Sequence, residues 1–195
     1  RDILSKIHYF QRYSSVENTE TNNTLQLFSR IYDHSVSAAS RFLTDITGEA
    51  IDIGIEIVQQ GRSGNAIPDG AIIQRSFKIL IEAKVDSPIN LDQLLRHAGT
   101  FGDEAGMKIL LLLTKNINES EEKEIINKIH DKHPDVVFRN ITYETICKAT
   151  EGLFKPHESG MVALVEDYIE YCNDAELFDQ SRFLLRVVPC GQSAK

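Results

Sequence analysis

The stretch IPDGAIIQRSFKILIEAKV, Ile67 to Val85, decides how this chain is read. Ile67, Ile72, Ile73, Ile79, Leu80, Ile81 and Val85 give it the apolar, β-branched character of paired strands. Asp69, Glu82 and Lys84 stand among them, where a buried strand would normally carry no charge. A tight turn at Arg75–Ser76 places Gln74 opposite Phe77. In an antiparallel ladder paired residue numbers share one sum, here 151, so the hairpin sets Asp69 against Glu82. Directly opposed residues have Cβ atoms roughly 4.5–5.5 Å apart, and two like charges at that spacing repel.

A hard divalent cation between them removes the conflict. Mg²⁺ is typically held by one or two carboxylates, with water and phosphate oxygens completing its shell. Glu82 and Lys84 are two apart on one strand and so share a face, while the small Ala83 points the other way. Lys84 is thereby placed to orient or deprotonate a water, or to support developing negative charge. Cation, carboxylates and lysine together equip a site for phosphodiester hydrolysis. The plain alternative is a solvated strand end, with Asp69-Gly70 as a turn and Glu82 and Lys84 as an exposed pair. The apolar setting and the hairpin-compatible spacing favour the chemical reading.

Outward from this hairpin the pattern is α/β. Residues 1–15 read as a short amphipathic helix, and residues 14–24 as a polar, capping-rich stretch. A longer helix carries Leu25, Phe28, Ile31 and Tyr32 and runs to about Leu43, with a break near Asp33–Ser37. Ile51, Ile53, Ile55 and Ile57 alternate with Asp52, Gly54 and Glu56 in a half-buried strand, and residues 61–65 form a turn. After the hairpin come a helix over 87–102, entered through Pro88 or Asn90 and ended by Gly102, and a central strand, MKILLLLT, over 107–114. A surface helix over 118–133, a strand over 135–141, and helices over 142–151 and 158–178 follow. Residues 182–188 suit a last strand or an extended tail. The order predicts a mixed sheet, an antiparallel meander first and parallel strands after it, flanked by helices.

The 195 residues suit one domain, 1–195, with a core over about 14–150 and a helical extension over about 151–195. Hydrophobic residues make up 42% and charged residues 26%, an ordinary globular balance. The net charge of −8 argues against a general positive coat for nucleic acid, though not against a local basic groove. Three scattered cysteines describe no disulfide framework, which points to a reducing, cytoplasmic setting. No apolar run approaches a membrane span and the first ten residues hold no signal-peptide core. The chain does not open with Met, so either trimming or residues before Arg1 would account for its start.

Pro68-Asp69 followed by Glu82-Ala83-Lys84 resembles the PD-(D/E)XK nuclease superfamily, which includes restriction endonucleases, Holliday junction resolvases and RecB-type nucleases. The resemblance extends over roughly residues 14–150, through the helix, meander, helix, strand, helix and strand order. It implies a three-layer restriction-endonuclease-like fold and a Mg²⁺-dependent nuclease, with Mn²⁺ able to substitute. In that family Asp69 and Glu82 would ligate the metal and Lys84 would act on the attacking water. It further implies DNA as the substrate, a homodimer or a larger assembly as the working form, and a role in phage defence, restriction or repair.

Many members carry a glutamate on the helix before the meander. VENTETNNTLQLF offers Glu17 and Glu20, of which Glu17 is favoured by its EN…T setting; an acidic helix start that suits the helix dipole is the plain alternative for either. RecB-like members also place QxxxY on the helix after the ExK strand. Here Gln93 matches, but His97 stands where the tyrosine would be, and an ordinary polar helix face would produce the same pair. Asp52 and Glu56 read as the polar side of a strand. His130 and His133 have no zincin glutamate between them, and Arg62, Arg75, Arg96 and Lys108 are candidates for phosphate contacts. The competing functional class is a nuclease-fold module without turnover, catalytically silent or switched on by a partner, which serves binding or assembly.

Overall fold

The structure is a computed structural model that describes residues 9–10, 17–51, 56–59, 70–73, 77–102 and 106–178; for residues 17–18, 56–59, 70–71 and 73 it describes the backbone alone. The predicted helix over 1–15, the turns at 61–65 and 75–76, and the tail over 182–188 therefore fall wholly or mostly outside the described residues.

Eleven elements are described: α1 (Glu17–His34), α2 (Val36–Thr47), β1 (Glu56–Gln59), β2 (Gly70–Ile73), β3 (Phe77–Lys84), α3 (Leu91–Ala98), β4 (Met107–Thr114), α4 (Glu119–Lys132), β5 (Val136–Thr142), α5 (Tyr143–Thr150) and α6 (Ser159–Asp174). Local chemistry sets several of the boundaries. Ser35 breaks the first long helical run as predicted: its backbone is extended, and its Oγ accepts the Ala38 N–H at 3.2 Å to start α2. Gly48 ends α2 in the left-handed conformation (φ 71°), which a residue with a Cβ adopts only under strain. Asn90 caps α3 and Asn118 caps α4, each through Oδ1 to first-turn N–H groups.

Several boundaries differ from expectation: α2 runs past Leu43 to Thr47 and α6 stops at Asp174, and two others have a clear local cause. α1 begins at Glu17, inside the stretch expected to be a polar lead-in, because Glu20, Thr21, Asn23 and Thr24 are all buried, as deeply as core residues. Thr24 Oγ1 meets the Tyr168 hydroxyl at 2.8 Å, so packing against α6 supports helix where polar composition alone would not. α3 ends at Ala98 rather than at Gly102: the Gly99 N–H closes on Leu95 O, and Thr100 bonds His97 O through both N–H and Oγ1.

The strands form one sheet in the order β1-β2-β3-β4-β5. β3, β4 and β5 run parallel, with β2 and β1 added antiparallel at the β3 edge. The four described β2–β3 pairs, from Gly70 with Ile81 to Ile73 with Lys78, all sum to 151, the register expected from the sequence.

Alternation along the strands splits the core in two. Ile79, Ile81 and Ala83 of β3 and Ile109, Leu111 and Leu113 of β4 face a large cluster with residues of α1, α2, α5 and α6. Leu80, Leu110, Leu112, Val136 and Phe138 face the other way, onto Leu94 and Ala98 of α3 and Ile125 and Ile129 of α4. β4 is thus buried on both faces, which its unbroken apolar run requires. The sheet lies between two helical layers, and Glu82 and Lys84 follow Leu80 on the α3 side.

Candidate active site

Glu82 sits near the C-terminal end of β3, where open α/β sheets commonly place ligands. Its side chain is 2% exposed, so its charge needs partners. It has three. Gln93 donates from Nε2 to Oε1 at 2.6 Å, Lys84 Nζ lies 2.8 Å from the same oxygen, and His97 Nε2 lies 3.0 Å from Oε2. The spacing of four on α3 sets Gln93 and His97 one turn apart on a single face, and Asn90 fixes the start of that helix through the Gln93 N–H.

Burial is the largest single influence on the Glu82 carboxyl and pushes its pKa up. The hydrogen bonds from His97 and Lys84, with their charges, outweigh it and hold the group below its ordinary value. Glu82 is therefore a carboxylate at neutral pH and only accepts hydrogen bonds, so His97 must donate from Nε2. Nδ1 of His97 is buried and makes no hydrogen bond.

The residues singled out by sequence fall as follows. Glu82, Lys84 and Gln93 come together in direct contact. Asp69 lies outside the described residues, immediately before the first residue of β2. Glu17 is the first residue of α1, and its side chain is likewise outside the described part. Glu20 is buried on α1, in line with Thr24, Leu27 and Ile31, but α1 packs on the sheet face opposite Glu82. Lys108 is engaged with Asp135 at 2.6 Å, away from this group. The residue that the motif underrates is His97. It is 1% exposed and bonded to Glu82, whereas a polar position on a short helix reads most simply as solvent-facing. The signal for it was the Gln93 spacing.

Beside Glu82 on the same face, Asn140 of β5 donates to Thr114 Oγ1 at 2.9 Å and to Leu112 O at 3.0 Å, so the neighbouring strand ends are also polar and buried. A cavity of about 390 Å³ lies elsewhere, at the start of α2, lined by Ser35, Arg41, Lys155, His157 and Glu158. Two of its charged groups are already used: Glu158 binds His34 and the Lys155 N–H, and Arg41 binds Leu153 O.

A hard divalent cation takes one or two protein carboxylates and fills its shell with water and phosphate oxygens. Glu82, ionised and fixed by three donors, is a ligand of that kind. Among the described residues no group of three or more His, Cys, Asp or Glu side chains gathers to hold a metal.

No protein-family model matches the chain, and no curated protein matches it. Among solved structures it is similar to the small subunit of the heterodimeric restriction endonuclease R.BspD6I, at 16% identity and a TM-score of 0.35, over 80% of this chain and 97% of that one.

Proposed function

We propose that this chain is a metal-dependent nuclease of restriction-endonuclease-like fold that hydrolyses phosphodiester bonds in DNA. The observation that carries the reading is the buried Glu82 carboxylate, held by Lys84 from its own strand and by Gln93 and His97 from α3. A buried charge with this many dedicated donors is costly to build for packing alone, and well-packed apolar residues often serve stability as well or better. The β2–β3 register supports the second half of the site: its described pairs sum to 151, and the same sum carried beyond the described residues would oppose Asp69 to Glu82. In this proposal Asp69 and Glu82 hold Mg²⁺, or Mn²⁺ in its place.

Lys84 holds the attacking water by donation from Nζ and supports the charge that grows on the phosphate. Gln93 keeps Oε1 of Glu82 in place. When bound, the cation sharpens the water as a nucleophile and offsets phosphate charge. One P–O ester bond breaks as the water oxygen bonds phosphorus, leaving a phosphate monoester and an alcohol. The proposal treats residues 1–195 as one cytoplasmic domain acting as a homodimer or within a larger defence or repair assembly. No helix among the described residues is long and apolar enough to cross a membrane.

The test incubates the protein with plasmid and with single-stranded DNA, in Mg²⁺ or Mn²⁺ and then in EDTA, beside Lys84→Ala and Asp69→Ala. Cleavage that needs metal and is lost in both variants supports the reading. Absence of cleavage under every condition favours the binding or partner-activated module, and cleavage that survives both substitutions removes this site from the chemistry.

A further inference from the structure

The donors around Glu82 divide its two oxygens unequally. An ionised carboxylate offers about four acceptor positions, two on each oxygen. Oε1 takes two donors, Gln93 Nε2 at 2.6 Å and Lys84 Nζ at 2.8 Å. Oε2 takes one, His97 Nε2 at 3.0 Å. The acceptor position that no described residue fills therefore lies on the oxygen that His97 fixes. His97 is buried as deeply as Glu82, and its Nδ1 makes no hydrogen bond. A core position would be met more simply by an aliphatic residue, as at its neighbours Leu94 and Ala98, so the ring is retained for what Nε2 does. An imidazole also donates along one rigid direction, which a flexible amide or hydroxyl does not.

We propose that His97 is a positioning residue: its Nε2–H holds Glu82 so that Oε2, and not Oε1, is the oxygen that ligates the divalent cation. This inference rests on the nuclease reading above and adds to it which oxygen binds and which residue sets it. Partners that fix a metal-ligating group in this way typically contribute a factor of about 10–100 in metal affinity.

The experiment titrates Mn²⁺ into the DNA-free protein, with free Mn²⁺ followed by electron paramagnetic resonance, for the wild type, His97→Gln and His97→Leu, each checked by thermal melting. His97→Leu is expected to weaken Mn²⁺ binding by about 10- to 100-fold. The Mg²⁺ concentration for half-maximal cleavage should rise by a similar factor, with a smaller change in kcat at saturating metal. His97→Gln, which retains an N–H donor, is expected to fall between the two. Folded His97→Leu with wild-type affinity overturns the inference. Should His97→Leu not fold, imidazole nitrogen spectra of the wild type decide, recorded at about pH 8.5 where ordinary imidazoles are neutral. A protonated Nε2 supports the proposal, and a bare Nε2 overturns it. Wild-type protein that neither binds Mn²⁺ nor cuts DNA overturns the nuclease reading itself. Wild-type protein that does both, beside an unchanged His97→Leu, overturns only the role of His97.

Discussion

Replacing Glu82 by glutamine keeps the volume of the side chain and removes its charge. In the native chain that charge accepts from Gln93, Lys84 and His97. Glutamine has one carbonyl oxygen, which keeps the charge-assisted bond from Lys84 and a now neutral bond from Gln93, while its NH₂ cannot accept from His97. With bonds to a charged group at about 1.5–3 kcal/mol and neutral ones at about 0.5–1.5 kcal/mol, weakening one bond and losing another costs roughly 3 kcal/mol. Relief of the buried charge returns part of this, since burial is the largest influence opposing ionisation of Glu82. A net loss of about 2 kcal/mol lowers Tm by about 4–8 °C for a chain of this size. The pH dependence follows from the direction of the pKa shift. Glu82 is lowered in the folded state, so its contribution is fully present above the ordinary carboxylate range and disappears as pH falls through the lowered value. Glutamine mimics the protonated acid, so the gap between wild type and Glu82→Gln should close on acidification. Urea denaturation of both proteins from neutral pH downward measures it. Equal stability at neutral pH, or a gap that widens in acid, would refute the account of how this carboxylate is held.

Asn90→Ala removes the cap of the short helix that carries Gln93 and His97; it should cost about 1 kcal/mol, speed amide exchange in the first turn of α3 and raise the Mg²⁺ requirement for cleavage. Unchanged exchange there would contradict the capping role. Asp167→Asn should loosen the segment around Tyr9 and Phe10, whose N–H groups both donate to the buried Asp167 Oδ2, at 2.7 and 3.3 Å, while the Phe10 ring packs edge-on to Tyr168. Faster exchange at those two amides, with little change at α3, is the expected result, and protection equal to wild type would count against it.

The parts of the fold that were legible in the sequence are those where one residue pattern admits one structure. An apolar run bounded by a charge and a turn gave β4 over residues 107–114, and a period of two with a tight turn gave the β2–β3 register. The start of α1 was not legible, because Thr21, Asn23 and Thr24 favour caps and loops in isolation and become helical here through burial. The same blindness to burial hid His97. Its spacing from Gln93 set both on one face of α3, but nothing in one sequence says that this face turns toward a buried acid rather than toward water. Gln93 and Lys84 could be nominated by motif; their shared grip on Oε1 depends on how α3 packs over the end of β3, which the motif does not carry.

The central claim is that Glu82 and Asp69 share one cation, and anomalous diffraction from a crystal soaked in Mn²⁺ tests it most directly. The account predicts one strong peak about 2.1 Å from a carboxylate oxygen of Glu82, Oε2, and from one of Asp69. A protein with no Mn²⁺ at Glu82, or with Mn²⁺ there and Asp69 turned away from it, would contradict the account.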